Sequence, residues 1–72
     1  MNFIIQVFIN GKKYNLKIKK YITLHQIVNL LYGRNTGIVI EYNKKITKKD
    51  MWKHIYINSN DNIEILTIVG GG

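Results

Sequence analysis

Residues 63–68 read Ile63-Glu64-Ile65-Leu66-Thr67-Ile68, and Gly70-Gly71-Gly72 follow shortly after them. The run has the length and apolar content of a β-strand. A buried strand near the end of a chain is best paired in the middle of a sheet, because both of its edges are then hydrogen-bonded. We therefore expect residues 62–68 to lie beside the first strand and parallel to it, with a helix across one face.

That first strand comes from residues 3–9, which are almost wholly apolar. Asn10-Gly11 then supplies the dipeptide that tolerates positive φ at both central positions of a tight turn. Apolar and polar residues alternate over 14–19, as in a strand with one buried face. The sequence thus predicts a β-hairpin at the start of the chain.

A helix is predicted next, over residues 24–32. Thr23 and Gln26 have the spacing of a capping box, and Gly33 is placed to end the helix in a left-handed conformation. The apolar residues within it fall at helical spacing and should pack on one face of the sheet. They are Leu24, Ile27, Val28 and Leu31.

The segment between the helix and the last strand holds only short elements. Residues 37–43 are predicted to form a third strand that ends in the polar turn 43–45. Residues 47–54 suit a single turn or a 3₁₀ helix, 55–57 a brief strand, and 58–61 a turn. The predicted order is strand, strand, helix, strand, short strand, strand.

This order predicts an α+β fold, the ubiquitin-like β-grasp, with a mixed sheet of four to five strands packed on one main helix. With 72 residues there is room for one domain. We assign it to residues 1–69 and expect 70–72 to form a mobile tail, because glycines have high chain entropy and no side chains to pack. Without Cβ atoms, Gly70, Gly71 and Gly72 can also enter a tunnel too narrow for other residues.

Composition excludes several classes of site. The chain has no cysteine, so it offers no disulfide, thiolate metal site or cysteine nucleophile. Any sulfur chemistry must therefore use sulfur brought by another molecule. No apolar run approaches the roughly 20 residues needed to span a bilayer. The first residues also lack a cationic segment and a cleavage site, so we expect a protein of the cytoplasm, or of the plastid stroma if the gene is organelle-encoded.

The net charge of +7 would suit nucleic acid. The lysines, however, occur as scattered pairs without an arginine-rich helix or an aromatic platform. We interpret them as a solvated surface and expect no nucleic-acid partner, although a small basic nucleic-acid-binding domain remains the distant alternative. A steep salt dependence of binding would identify it.

No residue of the chain is predicted to be catalytic or to bind metal. His25 and His54 have no carboxylate or second ligand at a suitable spacing, so we expect structural or exposed roles. Trp52 is expected to pack in the core, and Asp61 to close a turn.

Strand alternation predicts which apolar residues face away from the helix. The helix-facing positions of the two central strands are Val7, Ile9, Ile63 and Ile65. Phe8, Leu66 and Ile68 then point outward and form a candidate docking patch for a partner protein. The alternative is that the N-terminal residues or the segment around Trp52 cover them.

The chain resembles the ThiS sulfur carrier family of thiamine biosynthesis from about Val7 to Gly72. The order and spacing of several short motifs carry the resemblance. They are Asn10-Gly11-Lys12, Thr23-Leu24-His25-Gln26 with Leu31, residues 40–46, Trp52 with His54, Asp61, Ile63-Glu64-Ile65 and Val69-Gly70-Gly71-Gly72. The turn before Asp61 lacks the glycine often found there, and the first strand is longer.

The resemblance implies a carrier, not an enzyme, that is modified at Gly72. In the family a ThiF-like activating adenylyltransferase uses ATP and Mg²⁺ to convert the terminal carboxylate to an acyl-adenylate, and the carrier itself binds no cofactor. Sulfur from a persulfide donor then gives a thiocarboxylate, which serves thiazole synthase. The free carrier is expected to be a monomer. Carriers that serve molybdopterin synthesis or tRNA thiolation remain alternatives, because the same tail chemistry serves them all.

Overall fold

A computed structural model describes residues 2–34 and 36–68 of the chain. Gly70, Gly71 and Gly72, and the boundary predicted at residue 69, lie outside the described residues. Five strands, one α-helix and one 3₁₀ helix are present in the described part. They are β1 (Phe3–Ile9), β2 (Lys12–Ile18), α1 (Leu24–Tyr32), β3 (Ile38–Tyr42), β4 (Lys45–Thr47), the 3₁₀ helix (Lys49–His54) and β5 (Asn62–Thr67).

The strands form one mixed sheet in the order β2-β1-β5-β3-β4. β5 lies at its centre, parallel to β1 and antiparallel to β3. The predicted β-grasp arrangement is therefore confirmed, as is the hairpin. Asn10 and Gly11 both have positive φ, 51° and 79°, because a tight turn whose twist matches the strands requires it at both positions.

The α1 boundaries and both caps are also as predicted. Thr23 Oγ1 accepts a hydrogen bond from the Gln26 N–H at 3.2 Å, and Gln26 Oε1 accepts one from the Thr23 N–H at 2.8 Å. Gly33 has a φ of 66° and donates its N–H to the Asn29 carbonyl. Each bond satisfies a backbone group that a helix end would otherwise leave unpaired.

The prediction for Leu31 was wrong. Leu24, Ile27 and Val28 are buried, but Leu31 is 44% exposed, and Tyr32 packs against the core in the last turn instead. Helical spacing identifies the apolar side of a helix, but it does not show how far along that helix the core extends.

The position of the short strand was also wrong. Residues 55–57 make only an isolated bridge, between Tyr56 and Thr23, and the short strand is β4. Asn43 and Lys44 both have positive φ and form a tight turn, so that Lys45 pairs at once with Tyr42. The predicted three-residue turn is thus one residue shorter.

The core lies between the sheet and the two helices. Trp52 belongs to it, at 1% exposure, and its Nε1–H donates to Thr47 Oγ1 at 3.2 Å. The buried apolar residues are Val7, Ile9, Leu24, Ile27, Val28, Ile38, Ile40, Trp52, Ile57, Ile63 and Ile65. The helix-facing set predicted for the two central strands is therefore confirmed.

Asp61 closes a turn, as predicted, and also joins that turn to the one between β3 and β4. Its carboxylate accepts hydrogen bonds from the Asn58 N–H at 2.7 Å, from Asn43 Nδ2 at 3.1 Å and from the Tyr42 hydroxyl. Burial raises the pKa of Tyr42 to about 12, and the hydrogen bond and the charge of Asp61 contribute to the shift.

Candidate docking face and C-terminal end of the central strand

The face of the sheet away from α1 carries the predicted outward-facing residues. Along β5, Ile63 and Ile65 are buried, whereas Leu66 is 68% exposed and Ile68, just beyond the strand, is 57% exposed. Phe8 lies on the same face and is half-buried. Side chains alternate between the two faces of a strand, so this outer face is the side that a partner can contact.

Two further apolar residues lie on this face, one beside Leu66 on β3 and one on β4, two strands away from β5. Val39 lies directly opposite Leu66 on β3, and Ile46 lies opposite Glu41 on β4 with 73% exposure. Sequence reasoning missed both, because their face depends on the register of β3 and β4. We call Val39, Ile46, Leu66 and Ile68 the outer-face patch.

Phe8 is not part of this patch. It pairs with Lys13 on β2 and with Asn62 on β5, and Leu66 lies four residues farther along β5. Four residues correspond to about 13 Å along a strand. The structure therefore places Phe8, Leu66 and Ile68 on one face but brings only Leu66 and Ile68 together.

Two of the four acidic residues of the chain lie at the edge of the outer-face patch. Glu41 on β3 and Glu64 on β5 are direct cross-strand partners, and the residue opposite Glu41 on its other side is Ile46. The register of the described strands thus places no cation directly across from either carboxylate. On a chain of net charge +7, this part of the face carries two adjacent carboxylates, whereas Lys13 lies opposite Phe8 at the β2 side.

Hydrogen bonds outside the strand pairs hold Ile65 on one edge of β5 and Ile68 on the other. Asn10 Oδ1 accepts a hydrogen bond from the Ile65 N–H at 2.6 Å, and its Nδ2 donates to the Ile65 carbonyl at 3.2 Å. On the other side the Gly37 carbonyl accepts the Ile68 N–H at 2.7 Å. These bonds extend the sheet to the last described residue.

The two histidines lie elsewhere. His25, in the first turn of α1, contacts Asn29 Nδ2 through its Nδ1 at 3.4 Å, and His54 is exposed at the end of the 3₁₀ helix. Among residues 2–34 and 36–68, His, Asp and Glu side chains form no group of three that could hold a metal ion. The helices of this part of the chain also lack the length and apolar character needed to cross a membrane.

The model of the ThiS family matches residues 6–72. This chain belongs to the ThiS family. The match includes the outer-face patch, Asn10, and the glycines at the end of the sequence.

Curated relatives of this ThiS-family chain are uncharacterized proteins named ycf40. The one from Trieres chinensis is 45% identical over 90% of this chain and 86% of its own length. The one from Porphyra purpurea is 35% identical over 94% of this chain and 93% of its own length.

Solved structures with the same fold come from Geobacter metallireducens. The crystal structure of its thiamine biosynthesis protein ThiS has a TM-score of 0.79 and 17% identity, and the alignment covers 94% of this chain and all 100% of that one. An NMR structure of a thiamine biosynthesis protein from the same organism has a TM-score of 0.76, also at 17% identity, over 94% of this chain and 88% of that one. At this level of identity the likeness establishes the β-grasp fold.

Proposed function

We propose that this ThiS-family chain is a sulfur carrier that is charged at the carboxylate of Gly72 and supplies sulfur for the thiazole moiety of thiamine. The observation that carries the proposal is the family match, which continues through the central strand to Gly72. The chain supplies a reacting group and a docking face. Catalysis, ATP and Mg²⁺ belong to a ThiF-like activating adenylyltransferase.

The chemistry is an adenylyl transfer to the Gly72 carboxylate, a substitution at its acyl carbon by sulfur, and a reduction. The Gly72 carboxylate attacks the α-phosphorus of ATP, so that pyrophosphate leaves and an acyl-adenylate forms. This step is needed because a carboxylate is a poor electrophile, whereas adenylate is a good leaving group; the partner and its metal stabilise the developing charge. The terminal sulfur of a persulfide donor then attacks the acyl carbon and AMP leaves. A thiol finally reduces the resulting acyl disulfide to the thiocarboxylate. Because the chain has no cysteine, the sulfur and the thiol come from other molecules.

The outer face of the sheet is the proposed docking surface for the activating enzyme and for thiazole synthase. Leu66 and Ile68 are exposed apolar residues on the segment that leads into Gly70–Gly72, and Phe8 extends the face toward β2. A partner that covers Leu66 and Ile68 is therefore adjacent to the place where the chain leaves the sheet. Burial of exposed apolar side chains is the usual source of binding energy at such interfaces.

The plastid stroma is the proposed location. The relatives in Trieres chinensis, Porphyra purpurea and Pyropia yezoensis carry ycf40, a name used for plastid genes. A carrier made in the stroma would meet its activating enzyme and thiazole synthase there.

The test is conversion of the purified chain by its cognate activating enzyme with ATP, Mg²⁺ and a persulfide donor. Intact mass should rise by the difference between sulfur and oxygen. Two variants serve as controls. Gly71→Ile should remain unmodified because a β-branched side chain blocks a narrow channel, and one residue added after Gly72 should prevent transfer because it displaces the carboxylate by about 3.5 Å.

Supplying the charged carrier to thiazole synthase, to molybdopterin synthase or to a tRNA-thiolating enzyme separates the thiamine role from its two alternatives. Sulfur should pass to the thiazole product. Transfer to either other acceptor alone would reassign the carrier while retaining its tail chemistry. No modification of the wild type, together with nucleic-acid binding of steep salt dependence, would replace the proposal with the basic-domain alternative.

A further inference from the structure

The central strand β5 runs well past the end of its parallel neighbour. β1 pairs with β5 only at Phe8 with Asn62 and at Ile9 with Ile63, and β1 ends at Ile9. β5 continues to Thr67. Beyond Ile63, the edge of β5 on this side thus has no strand partner within residues 2–34 and 36–68.

Asn10 takes the place of the missing strand. Its backbone N–H donates to the Ile63 carbonyl at 2.9 Å, and its side-chain amide then pairs with both backbone groups of Ile65. An asparagine amide has one acceptor and one donor group side by side, as a peptide group has, so it can mimic one residue of a strand. Asn10 is suited to this because it sits at the turn with a φ of 51°, a conformation that asparagine tolerates.

The opposite edge of β5 is paired with β3 and with Gly37, the residue just before β3. Thr67 is opposite Ile38, and Ile68 donates to Gly37. The end of β5 is therefore bonded on one edge to Asn10 at Ile65, and on the other edge to β3 and Gly37 as far as Ile68. Only three residues lie between Ile68 and Gly72 in the sequence.

We propose that Asn10 is a positioning residue for the chemistry at Gly72. By holding Ile65 it fixes the direction in which the chain leaves the sheet, so that the carboxylate reaches the active site of the activating enzyme while the outer face is docked. The inference rests on the proposed function. Its physical basis is effective concentration: a short tether presents its end to a site most often when its origin and direction are fixed, and a positioned reaction is sensitive to small displacements.

Asn43 provides a matched control. It also begins a tight turn, with a φ of 48°, and its side chain also bonds β5, but at the start of the strand. Asn43 Oδ1 accepts the Asn62 N–H at 2.8 Å, and its Nδ2 donates to Asp61. Glycine adopts positive φ without steric cost, so Asn10→Gly and Asn43→Gly each keep a turn and remove a side chain.

The experiment compares these two variants with the wild type in the conversion assay at saturating activating enzyme, alongside titrated binding and hydrogen exchange. We expect Asn10→Gly to speed exchange of the Ile65 amide and to slow conversion by about threefold or more, because a positioned reaction is sensitive to small displacements, with little change in affinity. Asn43→Gly should destabilise the fold by a similar amount, because each variant loses two side-chain hydrogen bonds, yet it should convert at the wild-type rate. Asn10→Asp, which keeps the turn and the size of the side chain but lacks the amide donor, should also slow conversion.

Equal rates for the wild type and both Asn10 variants would overturn the inference. So would equal slowing by Asn10→Gly and Asn43→Gly, which would reduce Asn10 to a stabilising residue. Failure of the wild type to convert at all would contradict the proposed function itself, and the two failures are therefore distinguishable.

Discussion

Glu41 and Glu64 lie directly opposite each other on β3 and β5, on the outer face of the sheet. Like charges in this arrangement repel and destabilise the strand pair. The fold retains the pair next to the outer-face patch, although the chain has only four acidic residues against eleven lysines and arginines.

Glu64→Gln is expected to stabilise the fold by about 0.2–1 kcal/mol, because it removes this repulsion and preserves the shape of the side chain. The free energy of unfolding in urea measures the gain, which should shrink as added salt screens the charges. Asp50→Asn is the control, since it makes the same change in net charge on the 3₁₀ helix, where Asp50 lies in the first turn. An equal gain from both variants would show that the effect is one of net charge.

The raised pKa of Tyr42 makes a prediction in alkaline solution. The pKa is about 12 in the folded chain and 10.0 for an unperturbed tyrosine, so the contribution of the neutral hydroxyl is fully present below pH 10. It should be lost as the pH rises from 10 to 12. The Tyr42→Phe variant should lose less stability over this interval than the wild type. If the unfolding free energy of the wild type and of Tyr42→Phe changed equally with pH over this interval, the raised pKa of Tyr42 would be contradicted.

Leu66→Asp tests the outer-face patch. The side chain is largely exposed, so the fold should tolerate the change, while affinity for the activating enzyme should fall about tenfold or more as an apolar contact is replaced by a charge. Phe8→Asp should also weaken binding. Ile4→Asp is the control, because Ile4 is an exposed residue of β1 at the far end of the sheet. Titration with the enzyme gives the affinities, and unchanged binding by both Leu66→Asp and Phe8→Asp would remove the docking proposal.

Gly37→Ala should destabilise the fold more than Gly33→Ala. Both glycines have a φ near 70°, where alanine is strained by about 1 kcal/mol. A Cβ at Gly37 would also lie 3.2 Å from the Ile68 carbonyl oxygen, whereas one at Gly33 would meet no atom within 4 Å. Thermal unfolding measures the stability lost by each variant, and the difference reports the contact between the new Cβ and the Ile68 carbonyl oxygen. Equal losses of stability would mean that residue 37 and Ile68 can move apart at no energetic cost.

The local signals in the sequence predicted most of the fold. The capping box at Thr23 and Gln26, the turn at Asn10 and the apolar run at 62–68 each specify an element through neighbouring residues, and these elements were confirmed. β4 was missed because a strand of three residues has almost no pattern of its own and depends on the positive φ of Asn43 and Lys44.

The candidate site was only partly predictable. Strand alternation identified Leu66 and Ile68, but Val39 and Ile46 join them through cross-strand register, which the sequence does not specify. The hydrogen bond between Asn10 and Ile65 joins residues 55 apart in sequence. It forms because β1 ends at Ile9 beside Ile63 while β5 continues, and this arrangement is visible only in the folded sheet. The role of Gly72 stays a prediction from the family resemblance.

The most direct test of the account is the intact mass of the wild-type chain after incubation with its activating enzyme, ATP, Mg²⁺ and a persulfide donor. The account predicts one added mass increment equal to sulfur minus oxygen, located by fragmentation at Gly72 and absent when ATP is omitted. An unchanged mass with an enzyme shown to be active on another carrier, or a modification located at any other residue, would contradict it.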